Sequence, residues 1–314
     1  MMLGRISYLF IVLLLDIKTV GGNGMVSKFK KSKWPLIFTG TNIVLFILFF
    51  LLPAVLGFYY SLTDYKGYAT ANFIGFENYV ELLQDPTFYK AMLRTFRYMI
   101  TIVPLNYIVS LSVALLLNTE RIKGRTMGKI IIFLPWTISG IIAGVIWKWL
   151  FGEHFGFINY ILSVLGGEPV AWFTNANAAL SVLIIAGIWG GTAFNMLQFT
   201  NSLKNIPVSL YEAAEIDGAN AFQKFRHITL PALRPTSFMI LLLSSIGAMK
   251  EFALVQSLTN GGPGTDNVFI VQYIYQTGFE RNRVGYASAA SMLLFVILLL
   301  FGLFQLKLGG RSNE

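Results

Sequence analysis

Long apolar stretches separated by short polar segments dominate the chain from residue 37 onwards. The hydrocarbon core of a bilayer is about 30 Å thick, and about 20 apolar residues of helix cross it. The stretches are apolar around their whole circumference, which is not typical of helices on the surface of a soluble protein. The pattern therefore predicts an all-α polytopic membrane protein with six transmembrane helices. These spans are Ile37–Tyr60, Phe96–Leu117, Ile130–Leu150, Leu180–Leu197, Phe238–Leu258 and Ala287–Leu306.

The composition supports a membrane protein. Of the 314 residues, 55% are hydrophobic and 12% are charged, whereas an ordinary soluble domain has about 25% charged residues. The alternative, six such helices buried in the core of a soluble protein, is disfavoured for a chain of this length. The net charge of +9 does not indicate nucleic-acid binding, because the basic residues flank the apolar stretches and form no basic face.

The distribution of Lys and Arg predicts the orientation. With an even number of spans both termini lie on one side of the membrane, and segments on that side contain fourteen of these residues against five in the opposite loops. Because Lys and Arg favour cytoplasmic loops, both termini are predicted to be cytoplasmic. The predicted domains are a cytoplasmic N-terminus at 25–36, a transmembrane domain at 37–306 with a cytoplasmic loop at 203–237, and a cytoplasmic tail at 307–314.

Residues 1–24 do not fit this pattern. Tyr8–Leu15 is apolar but too short to span a bilayer, and Asp16 follows it directly. A signal peptide and an interfacial segment are two interpretations. We favour a third, in which translation starts at Met25 and residues 1–24 are a mis-assigned start. The glycine pair at residues 21–22 requires two GGN codons, which can spell a ribosome-binding sequence just upstream of Met25.

Several kinds of chemistry are excluded or disfavoured. The chain has no cysteine, and its two histidines, His154 and His227, are far apart in sequence. Disulfides, thiolate metal sites and cysteine nucleophiles are therefore excluded, and a histidine metal site is disfavoured. The phosphate-binding pattern G-x-x-x-x-G-K-[ST] is also absent. We predict that the chain is not an enzyme, with no catalytic residue, no metal and no cofactor of its own.

The loop between the fourth and fifth spans is the most informative segment. Its residues 205–231 predict two short helices with a break between them. Pro207 suits the first turn of the first helix, where its missing N–H is not needed. Gly218 suits the left-handed residue that ends this helix, and Pro231 is predicted to end the second helix before the membrane.

The charges of this loop favour a protein partner. The alternative is a solvated loop or a helix lying on the lipid surface, and a surface-seeking helix is rich in Lys and Arg. The first helix instead carries Glu212, Glu215 and Asp217 and no basic residue. Anionic lipid would repel it.

The same loop resembles the signature loop of binding-protein-dependent ABC importer permeases, in the maltose-type carbohydrate-uptake branch. The resemblance extends over most of Trp34–Leu306, with further support from segments such as Phe133-Leu134-Pro135. The matching loop positions are Glu212, Ala213, Ala214, Gly218, Ala219, Phe225, Ile228, Leu230 and Pro231.

This resemblance implies a type I ABC importer permease fold and a mechanism. The loop would seat as a coupling helix in a cleft of a separate ATPase, where Glu212 pairs with a basic residue, Ala213 and Ala214 allow close packing, and Gly218 permits the turn. The implied partners are a second homologous permease chain, forming a heterodimer, two ATPase subunits that use ATP and Mg, and an extracellular solute-binding lipoprotein or periplasmic binding protein. The implied location is the bacterial cell membrane, crossed several times.

The substrate implied by the resemblance is a sugar or oligosaccharide, and a glycerol-phosphate-like polyol is the alternative substrate. Two alternatives of another class stay open, an ion-coupled secondary transporter and a membrane scaffold without transport activity. A secondary transporter would need intramembrane acids or broken helices, ideally repeated in two halves.

Polar and aromatic residues at membrane depth predict a substrate path, because such residues usually face a cavity. An aromatic ring can pack against the C–H face of a sugar while amides and hydroxyls bind its hydroxyl groups. Helix packing is the competing explanation for threonine, serine and glycine, whereas lipid exposure is costly for an amide or a carboxylate. The predicted residues share one face in each of two spans. They are Trp189, Thr192 and Asn195 in the fourth span, and Ser244, Gly247 and Glu251 in the fifth.

Overall fold

The computed structural model describes residues 34–68, 70–119 and 124–310. The predicted segment 1–24, residues 25–33 of the predicted N-terminus and residues 311–314 of the predicted tail lie outside the described residues. The described chain is helical, and its only β pairing is an isolated bridge between Thr63 and Phe73. By their contacts, residues up to Gly57 form one compact unit and residues from Phe58 onwards form a second.

Fifteen α-helices follow one another in the described chain. They are α1 (Trp34–Phe46), α2 (Leu52–Ser61), α3 (Glu77–Gln84), α4 (Pro86–Asn118), α5 (Arg125–Phe133), α6 (Gly140–Leu150), α7 (Phe157–Val164), α8 (Ala176–Lys204), α9 (Val208–Ile216), α10 (Ala221–Lys224), α11 (Leu230–Ala232), α12 (Arg234–Met249), α13 (Ala253–Leu258), α14 (Ile270–Tyr275) and α15 (Val284–Gly310). Short π-helical turns join three neighbouring pairs, at Ile47–Leu51, Phe225–Thr229 and Gln276–Glu280.

Four helices of the described chain are long and apolar enough to cross a membrane, and the number rises to six if each of two bent helix pairs is one span. The four helices coincide with the predicted first, second, fourth and sixth spans. They cover Thr39–Ser61, Pro86–Asn118, Ala176–Lys204 and Val284–Lys307.

The predicted third span, Ile130–Leu150, is wrong as a single straight helix. The chain bends by 104° between the segment Arg125–Thr137 and α6. Pro135 begins a 3₁₀ turn and cannot donate a backbone hydrogen bond. Ile138 and Ser139 then have extended ψ angles of 130° and 141°. These two residues break the helix before α6 restarts.

The predicted fifth span, Phe238–Leu258, is also wrong in its bounds. Helix α12 ends at Met249, and residues 250–252 lie outside any helix before α13. At the other end, Pro231 does not terminate the preceding helix, which continues to Ala232 and then bends by 65° into α12. The π-helical turn before Pro231 shifts the hydrogen-bond pairing, and bends are common beside such turns.

Glycines set the closest helix contacts. In α8, Gly187 and Gly191 face α4, where an added Cβ at Gly191 would lie 2.0 Å from Nδ2 of Asn106. In α6, a Cβ at Gly144 would lie 1.9 Å from Oγ of Ser257 in α13. Small residues allow such close approach between helices in a membrane, where dispersion and hydrogen bonds drive association.

Candidate functional site

A cavity of about 580 Å³ lies between α4, α8 and α12, with α6 and the 3₁₀ turn before it closing one side. The tight packing of α4 against α8 and the two helix breaks produce its shape. Its wall is mostly apolar and aromatic, with a few polar groups, which is the usual make-up of a small-molecule site. On one side the rings of Trp136 and Phe194 stack with their centroids 4.8 Å apart.

Five of the six predicted substrate-path residues line this cavity. They are Trp189, Asn195, Ser244, Gly247 and Glu251. Nδ2 of Asn195 donates a 3.4 Å hydrogen bond to Oγ of Ser244, which joins α8 to α12. Their role as substrate contacts stays a prediction, since no bound molecule tests it.

Thr192 does not line the cavity. Its side chain is buried, and its hydroxyl donates a 3.3 Å hydrogen bond to Oδ1 of Asn106 in α4. Thr192 therefore serves helix packing in this structure, which was the competing explanation for a threonine.

Glu251 lines the cavity for a reason other than the helical spacing predicted from the sequence. Its helix has already ended at Met249, and the turn that follows brings the carboxylate inwards.

Other lining residues were missed by the sequence analysis. The most informative are Tyr98 and Asn106 of α4, together with Trp136 and Phe194. Tyr98, Ile102 and Asn106 are four residues apart, so they share one face of α4. An asparagine inside an apolar span was a usable signal, because burying an amide against lipid is costly.

The two tryptophans near the end of α6 have different surroundings. Trp149 is 65% exposed, but Trp147 packs into the core, where its ring meets the ring of Trp189 edge-on at 5.8 Å. The two residues are two positions apart, so their side chains point about 200° apart around the helix. Trp147 therefore supports Trp189 from behind the cavity wall and is not an interfacial anchor.

The loop between α8 and α12, which resembles the family's signature loop, forms a compact elbow, defined as residues 205–233. Helix α9 ends at Ile216, and Gly218 adopts the left-handed conformation predicted for it, with φ of +75°. The N–H of Ala219 then bonds the carbonyl of Ala214 at 2.8 Å. Asn220 begins α10 with a capping box, in which its side chain and that of Gln223 each accept the other residue's backbone N–H.

Side-chain bonds hold the two arms of the elbow together. Nζ of Lys224 lies 2.9 Å from Oε2 of Glu215, and the hydrogen bond from Lys224 lowers the pKa of this carboxyl. The hydroxyl groups of Tyr211 and Thr229 are 2.8 Å apart. On the inner side, Phe225 packs against the buried cluster that α4 and α8 form at this end of the molecule. The elbow is thus expected to move as one piece with these helices.

The outer side of the elbow is exposed and mixes apolar groups with an acid. Ile216 is 88% exposed and Phe222 is 67% exposed. Glu212 is exposed and takes part in none of the ion pairs of the described chain. The other loop positions that match the signature loop differ in exposure. Exposed are Ala213, Gly218 and Leu230, and half-buried are Ala214, Ala219, Phe225, Ile228 and Pro231.

The elbow directly connects two of the helices that line the cavity. Helix α8 ends at Lys204 and α12 begins at Arg234. At 1.5 Å per residue, Asn195 lies about 14 Å along α8 from the start of the elbow. A displacement of the elbow therefore displaces the cavity wall on both helices.

A second polar cluster, the brace, lies at the end of α4 away from the elbow. It consists of Asp85, Tyr273 and Tyr286. Oδ2 of Asp85 accepts hydrogen bonds from the hydroxyl of Tyr273 at 2.5 Å and from that of Tyr286 at 3.1 Å. Partial burial raises the pKa of Asp85, but the bonds from Tyr273 and from the N–H of Thr87 outweigh it and hold the pKa below its ordinary value of 3.8.

Replacement of Asp85 with asparagine is expected to lower the stability of the chain by about 1 to 2 kcal/mol near pH 7, since hydrogen bonds to an ionised acceptor are lost. Because the folded-state pKa lies below the ordinary value, this contribution is complete above about pH 4 and is lost as the pH falls through the folded-state pKa. Melting curves of both proteins in detergent should differ at pH 7 and approach each other as the pH falls below about 4. A difference that is unchanged at low pH would contradict the assignment.

Within the described residues no group of three or more His, Cys, Asp or Glu side chains could hold a metal ion. The cavity wall and the elbow carry hydrogen-bonding and packing groups, with no nucleophile activated by a neighbouring base. The chemistry that this arrangement supports is reversible binding and mechanical displacement.

Comparisons with known proteins agree with this description. Residues 79–311 match the family described as the binding-protein-dependent transport system inner membrane component. The arabinooligosaccharides transport system permease protein AraP of Bacillus subtilis is 35% identical, over 90% of this chain and 90% of its own length. The trehalose/maltose transport system permease protein MalF of Thermococcus litoralis is 34% identical, over 90% of this chain and 95% of its own. A crystal structure of a bacterial ABC transporter involved in import of the acidic polysaccharide alginate has a chain with a TM-score of 0.80 and 25% identity. The match covers 92% of this chain and 99% of that one.

Proposed function

The chain belongs to the binding-protein-dependent transport system inner membrane components, and on that premise we propose that it moves an oligosaccharide through the cavity between α4, α8 and α12. The force comes from separate ATPase subunits that dock on the elbow. The observation that carries the proposal is the continuity of the elbow with α8 and α12, because both helices contribute to the cavity wall.

The elbow offers what an ATPase cleft needs. The exposed carboxylate of Glu212 is free to pair with a basic residue of the ATPase. Ala213 beside it has no side chain beyond Cβ, so the partner surface can approach closely, and Phe222 supplies an apolar anchor. Internal bonds such as that between Lys224 and Glu215 keep the elbow rigid, so a push on its outer face is transmitted to the helices. Closure of an ATPase dimer would then switch the helices between outward-facing and inward-facing arrangements.

The assembly and topology proposed here follow the sequence predictions. This chain pairs with a second, homologous permease chain as a heterodimer, with two ATPase subunits and an extracellular binding protein. ATP and Mg are used by the ATPase subunits. The bent pair that ends with α6 serves as the third span, and α12 together with α13 serves as the fifth, which gives six spans and cytoplasmic termini in a bacterial cell membrane. The family description, with its dependence on a binding protein, supports this arrangement.

The proposed substrate is a sugar or oligosaccharide. Supporting observations are the names of the two curated relatives and the chemistry of the cavity. Trp189 offers an aromatic face, and Asn195 and Ser244 offer an amide and a hydroxyl beside it. Aromatic faces next to hydrogen-bonding groups match the C–H faces and hydroxyl groups of a saccharide.

An ion-coupled secondary transporter is the rival function, and the helix break before α6 favours it, because broken helices are typical of such proteins. The elbow argues against it, since a secondary transporter has no ATPase to dock. Uptake of labelled saccharide into vesicles, with the importer reconstituted from all its subunits, separates the two. The proposal predicts uptake that requires ATP and is inhibited by vanadate. Uptake driven by a proton or sodium gradient in the absence of ATP would contradict it.

A further inference from the structure

The charge distribution around the cavity is one-sided. Among the described residues that line it, Glu251 is the only acid, and none is Lys, Arg or His. The remaining polar groups of the wall, such as Asn106 and Ser244, are neutral donors and acceptors. This chain therefore contributes at most one negative charge to the cavity and no positive charge.

No basic side chain neutralises Glu251 within the described part of the chain. Its Oε1 accepts a 3.1 Å hydrogen bond from the N–H of Leu254, and this bond does not remove the charge. The neighbouring Lys250 is exposed. The ion pairs between described residues are Arg94–Asp266, Lys224–Glu215 and Arg283–Glu81.

An anionic ligand in this cavity would lose water without gaining a cation. An ion taken out of water at membrane depth must be paired or hydrogen-bonded to be tolerated. An anion here would also be repelled by Glu251, and repulsion is stronger in a cavity than in water because the effective dielectric constant is lower. An uncharged saccharide avoids both penalties and can use its hydroxyl groups on the same wall.

From this geometry we propose that Glu251 is a specificity-determining residue, which excludes anionic saccharides and admits uncharged ones. The proposal rests on the proposed function, since it assigns a substrate class to the same cavity. It separates this chain from the solved structure of similar fold, whose described cargo is the acidic polysaccharide alginate. It also argues against a glycerol-phosphate-like polyol, the alternative substrate considered for the sequence.

Glu251 also caps the start of α13 through Leu254, and a purely structural role must be distinguished from selection by charge. The change Glu251→Gln does so, because glutamine keeps a side-chain oxygen that can accept the N–H of Leu254 but carries no charge. The matched control is Glu168→Gln, which removes the same charge from an exposed carboxylate that does not line the cavity.

The experiment is a binding titration on the complete importer in lipid nanodiscs, followed by tryptophan fluorescence, because Trp136 and Trp189 line the cavity. The probes are maltotriose and the same trisaccharide oxidised to the uronate at its three C6 positions. Wild type should bind the neutral probe at least tenfold more tightly than the uronate. Glu251→Gln should reduce this ratio severalfold, mainly through tighter binding of the uronate, and Glu168→Gln should leave the ratio as in wild type.

If the wild-type importer bound the two probes with equal affinity, that result alone would overturn the proposal. A ratio that stays unchanged in Glu251→Gln would also overturn it and leave Glu251 with its structural role. These outcomes are distinct from failure of the proposed function, in which neither probe binds and the vesicles show no ATP-dependent uptake.

Discussion

Replacement of Glu212 with alanine is expected to lower ATP-driven uptake at least tenfold without lowering the stability of the chain. Glu212 is exposed and has no ion-pair partner in the described structure, so its truncation removes no stabilising contact within this chain. Across an interface, removal of one member of a close charge pair costs about 2 kcal/mol or more, and 1.4 kcal/mol corresponds to about a tenfold change. Uptake into vesicles measures the loss of transport, and co-purification of the ATPase measures the weaker docking.

The matched control for this change is Glu168→Ala, which truncates an exposed carboxylate outside the elbow. It should leave uptake and ATPase recovery at wild-type values. Normal uptake by Glu212→Ala would mean that the exposed acid of the elbow does not contribute to coupling. Loss of uptake together with a lower melting temperature would point instead to a folding defect.

Replacement of both Gly187 and Gly191 with alanine is expected to destabilise the chain strongly. The added Cβ atoms would lie 2.5 Å from Cδ1 of Ile102 and 2.0 Å from Nδ2 of Asn106. Overpacking of a tight contact costs about 1 to 3 kcal/mol per site, and these two sites share one interface. The expected result is a markedly lower melting temperature in detergent and less protein in the membrane.

Gly190 provides the control for this pair. It lies between the two glycines in α8, yet a Cβ added there meets nothing within 4 Å. Gly190→Ala should therefore keep the wild-type melting temperature, and it slightly favours the helix by reducing backbone freedom. If the double variant melted at the same temperature as Gly190→Ala, the close contact between α4 and α8 would not be the one described.

Hydropathy was sufficient to locate the long helices, because the thickness of a bilayer sets their length. It could not locate the breaks at residues 134–139 and 250–252, because an average over about 20 residues does not resolve an interruption of a few residues. The break near Pro135 had a local signal in the missing N–H of proline. The break after Met249 had a weaker signal in the charged pair Lys250 and Glu251, and the turn there is stabilised by tertiary contacts such as those of α13 with α6.

The cavity was only partly predictable, because its wall depends on how the helices pack against one another. Spacing along one helix correctly grouped Trp189 with Asn195, but it cannot show which face meets a neighbouring helix. Thr192 faces α4 and was assigned to the wrong side. The pattern Gly187-x-x-x-Gly191 was a usable signal for that packing face.

The elbow was the most predictable segment, because local rules set much of it. Gly218 has a left-handed backbone, and capping by Asn220 follows from its side chain. The bonds between the two arms depend on how the arms fold against each other, so spacing alone did not reveal the Lys224–Glu215 ion pair. Pro231 misled the prediction because the π-helical turn before it accommodates a residue without an N–H.

A single cysteine at Ala214 gives the sharpest test of the coupling mechanism, since the chain has no native cysteine and any crosslink must come from the new residue. Ala214 is half-buried and follows the exposed Ala213. In an importer that still transports, a short bifunctional reagent should join this cysteine to a cysteine placed in the facing cleft of the ATPase, and the joined complex should lose ATP-driven uptake. Failure to capture an ATPase subunit from any position in that cleft, in a fully active complex, would contradict the elbow as the site of force transfer.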